Sequence, residues 1–173
     1  RIIVTAGGTR EPIDPVRYIG NRSSGKQGFA LALAAATRGA NVHLISANAD
    51  LPEIDGVEVT KIETATELLS VLEAEFPKCD ALIMSAAVAD ARVRNYSQNK
   101  IKKNDFETMD LTKNPDILAR IAEIKKSGQI VVGFAAETAN TNEELTALAK
   151  IKLVKKNADL IIGNKVSATI GIN

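Results

Sequence analysis

The stretch "YIGNRSSGKQGFALALAAATRGANVHLIS", residues 18–46, holds a glycine-rich turn, a helical run and a strand, and the nature of that turn decides the fold. Gly20 and Gly25-Lys26 fit the G-x-x-x-x-G-K spacing of a phosphate-binding P-loop, but Gln27 stands where that loop needs Ser or Thr. The missing hydroxyl is the group that would hold Mg²⁺. A P-loop also follows a central strand directly, whereas the preceding "EPIDPVRYIG" carries two prolines. The turn is therefore not a P-loop of the ATPase kind.

The residues after this turn predict an alanine-rich helix over 24–38. The helix ends at Gly39, and Ser23 or Ser24 is its expected cap. The start of such a helix offers backbone N–H groups and a positive dipole end to an anion. We therefore expect an anion-binding turn here that does not depend on Lys26.

Short runs of β-branched and aliphatic residues alternate with helical stretches along the chain. The predicted strands are Ile2–Thr5, Val42–Ile45, Val57–Val59, Leu82–Met84, Ile130–Gly133 and Leu160–Ile162, and the predicted helices are 24–38, 64–75, 115–126 and 142–157. This alternation predicts one α/β domain over residues 1–173, with a Rossmann-like, doubly wound, mostly parallel sheet and helices on both faces. Ligands of such sheets bind beyond the carboxyl ends of the strands.

Composition excludes several classes of function. The net charge of +1 disfavours a nucleic-acid partner. The single cysteine, Cys79, and the single histidine, His43, form no Cys/His zinc site, and a packed thiol is expected at Cys79 rather than a nucleophile. No apolar run reaches the roughly 18 residues of a membrane span. We expect a cytoplasmic domain, cut from a longer chain because it opens on Arg1.

Gly7-Gly8 ends the first predicted strand in a tight turn that suits either a nucleotide site or an ordinary loop. The full G-x-G-x-x-G fingerprint of dinucleotide-binding enzymes is absent there. No acidic residue closes the second strand, "VHLISAN", to bind a ribose hydroxyl. Hydride transfer is therefore disfavoured.

Two loops that follow offer charged groups. "MSAAVAD" ends the fourth strand in small residues and then Asp90, which could hold a ribose or a metal-bound phosphate, or lie in a surface turn. Residues 91–113 are polar, lysine-rich and long enough to form a functional flap. This flap carries Lys100, Lys102 and Lys103, and such a charge run is also typical of a solvated face.

Three later features complete the candidate site. "TKNPDIL" predicts a helix start with Asn114 as cap and Pro115 at the first helical position. Phe134, in a chain only 3% aromatic, either stacks on a base or fills the core. Lys152 and Lys156, at i, i+4 spacing, repel each other unless they share an anion or polar ligand, or else form a solvated edge.

Six motifs in this order resemble the phosphopantothenate–cysteine ligase (phosphopantothenoylcysteine synthetase) domain of bacterial bifunctional coenzyme A biosynthesis proteins. The motifs are "TAGGTREPIDPVRYIGNRSSGKQG", "SAAVAD", "KIKK", "KNPDIL", "GFAAET" and "KNADLIIGN". The resemblance covers essentially the whole chain. Family members continue beyond the final "SATIGIN", so it implies a chain truncated at its carboxyl end.

The resemblance implies a reaction and its reactants. CTP activates the carboxylate of 4′-phosphopantothenate as an acyl-cytidylate, with release of pyrophosphate, and the amine of L-cysteine then displaces CMP. Mg²⁺ is expected on triphosphate oxygens and water, with no protein ligand assigned. The resemblance also implies a homodimer and a fused flavin-dependent decarboxylase domain, which alone would bind FMN.

The resemblance also implies site residues. The implied nucleotide-binding residues are Met84, Asp90, Lys100, Pro115, Asp116, Ile117, Leu118, Phe134, Lys152 and Lys156. Asn21 and Lys100 match the catalytic positions of the family. Arg22 stands where many members have His, which changes the expected phosphate contacts beside Asn21.

Two other functions compete with this one. A dehydrogenase of the same fold would need a Tyr-x-x-x-Lys pair, and "YSQNK", Tyr96 to Lys100, has that spacing but lies in a polar loop. Tyr18 has Arg22 at the corresponding position. The second alternative is a nucleotide-sensing module without catalysis. Binding of CTP rather than NADPH, and CTP-dependent release of pyrophosphate, distinguish the three.

Overall fold

Ten strands occur over residues 1–167, the part of the protein that the computed structural model describes. They are β1 (Ile2–Gly7), β2 (Arg10–Pro12), β3 (Tyr18–Gly20), β4 (Val42–Ala47), β5 (Glu58–Ile62), β6 (Ala81–Met84), β7 (Ala91–Val93), β8 (Leu111–Lys113), β9 (Ile130–Glu137) and β10 (Leu160–Lys165). The end of the predicted 1–173 domain, residues 168–173, which includes most of "SATIGIN", lies outside the described residues.

The main sheet has the order β10-β9-β6-β1-β4-β5, and all of its neighbouring strands are parallel. The chain moves outward from β1 to β5, returns to place β6 against the other side of β1, and then moves outward to β10. This order defines a doubly wound, Rossmann-like sheet with its switch point between β1 and β6. The predicted fold class is confirmed.

Helices cover both faces of this sheet in the described residues. They are α1 (Lys26–Thr37), α2 (Ala65–Glu75), α3 (Ile117–Glu123) and α4 (Asn142–Lys156), with short 3₁₀ turns at Phe76–Lys78 and Lys103–Asp105. Every residue of β4 is buried, as expected for a strand that is covered on both faces. On one face α2 and α3 pack Leu68, Leu72 and Ile121 against Ile3. On the other face α1 packs against Val4 and Leu44.

Close contact between α1 and β1 depends on glycine. A Cβ atom at Gly28 would lie 2.4 Å from the Cβ of Ala6, so a larger residue would push the helix away from the sheet. This contact brings the start of α1 to the carboxyl end of β1. The glycine-rich turn before α1 therefore lies at the carboxyl edge of the sheet, where ligands of doubly wound sheets generally bind.

Two small antiparallel ribbons, which the sequence analysis did not predict, flank the main sheet. One pairs β2 with β3, and the other pairs β7 with β8 at the two ends of the flap. The strand β3 precedes the glycine-rich turn, but it belongs to a ribbon and not to the central sheet, as the two prolines suggest. Among the helices of residues 1–167, none combines the length and the apolarity that crossing a membrane would require.

All six predicted strands and all four predicted helices are observed, but their bounds differ. The strand predicted at Ile130–Gly133 continues to Glu137, and the strand predicted at Leu160–Ile162 continues to Lys165. The strand predicted at Val57–Val59 lies at Glu58–Ile62. The helix predicted over 115–126 is shorter, at Ile117–Glu123.

Candidate active site

A cavity of about 750 Å³ lies along the carboxyl-terminal parts of β6, β9 and β10. Its volume is in the usual range for a small-molecule site. The loop after β6, the start of α3, the end of α4 and the turn before α1 complete its wall. The predicted site residues that line it are Asn21, Met84, Asp90, Pro115, Asp116, Ile117, Leu118, Phe134, Lys152 and Lys156.

The loop after β6, residues 85–90, is fixed to β1 and to the turn that follows β1. The backbone N–H of Ala86 donates to the hydroxyl of Thr5 at 3.0 Å, and that of Ala89 donates to the hydroxyl of Thr9 at 2.9 Å. Ala87 donates to the carbonyl of Gly7 at 2.8 Å. The loop backbone is therefore fixed in position, and its small side chains leave it accessible from the cavity. Asp90, at the end of the loop, is exposed.

Asn114 ties this loop to the segment before α3, and it is not the cap of that helix. Its side-chain amide donates to the carbonyl of Ala89 at 2.8 Å, and its side-chain oxygen accepts from Arg92 at 2.8 Å. The cap is Asp116, whose carboxylate accepts from the N–H of Ala119 at 3.2 Å, so α3 begins at Ile117. The prediction of an Asn114 cap with Pro115 at the first helical position was wrong, because the asparagine side chain bonds outward to the loop.

Lys152 and Lys156 each have an acidic partner on another element, so their charges are balanced by carboxylates and neither a shared ligand nor a purely solvated edge is needed to explain their spacing. The ammonium group of Lys152 lies 2.6 Å from the carboxylate of Glu137 on β9. That of Lys156 pairs with Asp116 at the start of α3. Both side chains are partly buried, and both line the cavity. These ion pairs hold the end of α4 against β9 and α3.

Phe134 is partly buried in the wall of the cavity and is not part of the fully buried core. A Cβ atom at the preceding residue, Gly133, would lie 2.5 Å from a methyl group of Leu118, so glycine lets α3 approach β9 closely. Successive side chains of a strand point to opposite faces, so the Phe134 ring lies on the face of β9 opposite to this contact. Its placement favours stacking on a ligand over core filling, which was the other reading of this residue.

The glycine-rich turn contributes Asn21 and Gln27 to the cavity, whereas Lys26 is exposed and is not among the lining residues. Gly25 is the N-cap of α1 and adopts the left-handed conformation, with φ of 79°, while the hydroxyl of Ser24 makes only a long contact of 3.5 Å with the N–H of Lys26. The predicted Ser23 or Ser24 cap was wrong. The reason is that the chain enters α1 through this left-handed residue, a conformation that glycine adopts without strain.

Lys100 lies outside the cavity, on the flap. Together with Lys102 and Lys103 it lines a separate depression that also includes Arg17 and Phe106. The side chain of Lys100 is exposed. The structure therefore brings Asn21 together with the predicted nucleotide-binding residues, apart from Lys100, whose role stays a prediction.

Several lining residues were not predicted individually. They are Gln27, Lys113, Asn114, Lys155 and Asn164. The side-chain amide nitrogen of Asn164 lies 3.4 Å from the side-chain oxygen of Gln27, which joins the end of β10 to the start of α1. Asn164 is the last residue of the "KNADLIIGN" motif, so the sequence offered a signal for it. For Gln27 the sequence showed only a mismatch to the P-loop pattern, which does not indicate a binding role.

Cys79 is buried away from the cavity, as expected for a packed thiol. Its Sγ donates to the carbonyl of Glu75 at 3.3 Å, and burial raises the pKa of the thiol. His43 bonds instead to the hydroxyl of Thr60 at 2.8 Å. Within residues 1–167, no group of three or more His, Cys, Asp or Glu side chains is placed to hold a metal ion.

Comparisons with known proteins agree with this architecture. Curated relatives include the Coenzyme A biosynthesis bifunctional protein CoaBC of Escherichia coli (strain K12), which is 48% identical over 177 residues and is matched by 99% of this chain. The protein of the same name from Mycobacterium tuberculosis (strain ATCC 25618 / H37Rv) is 46% identical over 174 residues, or 96% of this chain. The chain spans 43% and 42% of the length of these two relatives, respectively.

A solved structure, the crystal structure of the C-terminal domain of Coenzyme A biosynthesis bifunctional protein CoaBC, superimposes with a TM-score of 0.82 at 38% identity. The match covers 95% of this chain and 76% of that one. The sequence pattern of one family, described as DNA/pantothenate metabolism flavoprotein C-terminal domain, extends over residues 1–173. The chain belongs to this family.

Proposed function

We propose that this chain is a CTP-dependent phosphopantothenate–cysteine ligase that acts in coenzyme A biosynthesis. The observation that carries the proposal is the content of the cavity. One wall of small residues, one ring, two lysines with carboxylate partners and Asn21 meet at the switch-point edge of the sheet. Membership of a family whose curated relatives are named for coenzyme A biosynthesis supports the same assignment.

The proposed reaction has two steps. A carboxylate oxygen of 4′-phosphopantothenate attacks the α-phosphorus of CTP, and pyrophosphate leaves. The amine of cysteine then attacks the acyl carbon of the acyl-cytidylate, the bond to CMP breaks, and the amine loses a proton. Both steps develop negative charge on oxygen, so the protein accelerates them by aligning the reactants and supplying fixed donors and cations.

We propose one orientation of the nucleotide in the cavity. The ring of Phe134 provides a stacking surface for the base, and the exposed carboxylate of Asp90 can accept hydrogen bonds from ribose hydroxyls. Lys152 and Lys156 supply positive charge at the end of α4, already oriented by Glu137 and Asp116. Because these partners hold the ammonium groups before the ligand arrives, little side-chain entropy is lost on binding.

Asn21 reaches the cavity from the turn before α1, and Gln27, at the start of α1, also lines it. Its carboxamide can donate to an acyl oxygen and accept from an incoming amine, without a charge of its own. We assign it to the acyl-transfer step. We assign Lys100, on the flap, to the charge on the triphosphate or the acyl-cytidylate.

The residues that line the cavity fit Mg²⁺ only as a phosphate-bound ion. Asp90 and Asp116 are its carboxylates, and Asp116 is already engaged by Lys156 and by the N–H of Ala119. Mg²⁺ commonly keeps its waters and is held by substrate phosphates with one or two carboxylates. It would neutralise triphosphate charge here, with Asp90 as the carboxylate available to it.

The rest of the proposal concerns the whole protein. We propose that this chain acts as a cytoplasmic homodimer, fused to a flavin-dependent decarboxylase domain that binds FMN. A dehydrogenase function is not favoured, because Tyr96 and Lys100 lie in the flap between β7 and β8 and not on a helix. Without a helix, the Tyr-x-x-x-Lys spacing does not place both side chains on one face.

The proposal is tested by following the reaction with and without cysteine. With CTP and 4′-phosphopantothenate alone, we expect a burst of pyrophosphate and a bound acyl-cytidylate. Adding cysteine should release CMP and give 4′-phosphopantothenoylcysteine in equal amounts. If CTP binds but neither intermediate nor product forms, the chain is a nucleotide-sensing module and the proposal is wrong. If NADPH binds in place of CTP, the dehydrogenase alternative is favoured.

A further inference from the structure

Asp14 is a charged residue buried in the turn between β2 and β3, away from the cavity. Its side chain is fully buried, and it pairs with the guanidinium group of Arg17. One carboxylate oxygen also accepts from the backbone N–H groups of Val16 and Arg17, each at 2.9 Å, which closes the turn. The Arg17 guanidinium group holds the pKa of the Asp14 carboxyl well below its usual range. The carboxylate therefore stays charged although it is buried.

The same ion pair binds the flap through one peptide unit on each side of Ile101. The N–H of Ile101 donates to the carboxylate of Asp14 at 3.1 Å, and its carbonyl accepts from the guanidinium group of Arg17 at 2.8 Å. A further backbone bond, from the N–H of Ser97 to the carbonyl of Ile13, measures 3.0 Å. Charge-assisted bonds of this kind are stronger than those between neutral groups.

An aromatic ring completes the attachment. The guanidinium carbon of Arg17 lies 3.9 Å from the centre of the Phe106 ring, which belongs to the far side of the flap. Cation–π contacts at this distance are attractive. Arg17 thus contacts the flap at two points, and Asp14 fixes the orientation of Arg17.

We infer that Asp14 and Arg17 form a latch that fastens the flap to the β2–β3 ribbon and so sets the position of Lys100 relative to Asn21. Lys100 immediately precedes the latched residue Ile101, and Asn21 immediately follows β3. The latch therefore joins the two segments that carry the proposed catalytic residues. Asp14 and Arg17 are positioning residues in this account. The attachment itself stands on the contacts, whereas its effect on catalysis rests on the proposed function.

The attachment is tested by limited trypsin digestion, because the flap contains cleavage sites at Lys100, Lys102 and Lys103. Arg17→Lys keeps a cation beside Asp14 but loses the planar guanidinium group that contacts Asp14, Ile101 and Phe106 together, and we expect cleavage in the flap to be about tenfold faster. Phe106→Leu removes the ring contact and leaves the ion pair intact, so we expect a smaller increase in the same direction, with a melting temperature close to wild type to show that the fold is kept. Arg38→Lys, at the end of α1, is the matched control and should not change the rate. Wild-type cleavage rates in both Arg17→Lys and Phe106→Leu would show that the latch does not hold the flap.

The effect on catalysis is tested by a double-mutant cycle in the intact protein. We expect Arg17→Lys to lower kcat about tenfold while the Kd for CTP stays within about twofold. In a Lys100→Gln background the same change should lower kcat by less than about twofold, because the residue being positioned is gone. Equal losses in both backgrounds would overturn the positioning role. A wild-type protein that does not consume CTP would refute the proposed function, and the cleavage rates would still decide the latch.

Discussion

Lys100 is exposed on the flap and lies outside the cavity, so its proposed catalytic role is tested by substitution. If it stabilises charge on the triphosphate or the acyl-cytidylate, Lys100→Gln should slow the reaction about 10²–10³-fold without lowering the melting temperature. Steady-state kinetics and thermal denaturation measure the two effects. Lys102→Gln, on the same flap, is the matched control and should remain close to wild type. Near-normal turnover of Lys100→Gln would show that the flap lysines form a solvated surface without a catalytic role.

Asn21 and Lys26 separate the two interpretations of the glycine-rich turn. Asn21 lines the cavity and Lys26 does not, so Asn21→Asp should impair amide formation and let the acyl-cytidylate accumulate, while Lys26→Ala should retain most activity. An aspartate keeps the size but cannot donate when ionised, and it adds a negative charge beside a phosphorylated intermediate. A quench assay follows CTP, acyl-cytidylate and product in both variants. Loss of CTP use in Lys26→Ala, with normal turnover of Asn21→Asp, would identify a true P-loop.

The sequence indicated which residues belong to the candidate site more reliably than it indicated the hydrogen-bond partners of their side chains. Asn114 was expected to cap α3, a role that Asn commonly plays, yet its side chain bonds to Ala89 and Arg92. Both partners are close only because β7 pairs with β8. Lys152 and Lys156 were recognised by their spacing, but Glu137 and Asp116 come near them only in the folded sheet. Local sequence carries no information about such contacts.

Among the structural elements, the loop after β6 owes its shape to buried hydroxyl groups. Thr9 is fully buried and accepts from the N–H of Ala89, so Thr9→Val keeps the side-chain size and leaves that donor unsatisfied. We expect a loss of about 1–3 kcal/mol in the free energy of unfolding and weaker binding of CTP. Chemical denaturation and nucleotide titration measure the two effects. Thr64→Val removes the cap of α2 at a similar cost, and it should leave CTP affinity unchanged. Equal CTP affinity in both variants would contradict the assignment of this loop.

The end of α4 offers a second test at this scale. Lys152→Ala and Lys156→Ala each remove a cation from the cavity and leave Glu137 or Asp116 unpaired, so each should raise the Kd for CTP about tenfold or more. Lys150→Ala, on the same helix but outside the cavity, is the control. Isothermal titration gives the Kd, and thermal denaturation checks the fold. Unchanged Kd values alongside unchanged melting temperatures would leave both lysines as surface residues.

Long elements were predictable from periodicity, and three-residue strands were not. The central strands β1 and β4 are nearly continuous apolar runs, because both faces are covered. By contrast β2, β3, β7 and β8 have three residues each, too few to show an alternating pattern. They form by antiparallel pairing within each ribbon, and β2 of one ribbon packs against β7 of the other. The flap was therefore foreseen as a polar segment but not as the loop of a ribbon.

At the scale of the whole molecule, the strand order explains why the candidate site lies where it does. The chain reverses direction across the sheet between β1 and β6, and the loops that follow these two strands are joined by the backbone bonds of Gly7 and Ala87. A crevice at such a switch point is the general place for a ligand in doubly wound sheets. The fold class thus predicts a ligand site at the carboxyl edge of the sheet, where the cavity lies on the β6 side of the switch point, and the side chains found there support the chemistry that we propose.

The most direct test of the central proposal is pyrophosphate release by the intact protein with 4′-phosphopantothenate, measured against CTP, ATP, GTP and UTP in turn. We predict release with CTP at a rate well above that with the other three nucleotides, and none when 4′-phosphopantothenate is omitted. The product of the complete reaction with cysteine should be 4′-phosphopantothenoylcysteine. Absence of pyrophosphate with every nucleotide, or release that does not depend on 4′-phosphopantothenate, would contradict the proposal that this domain activates that carboxylate with CTP.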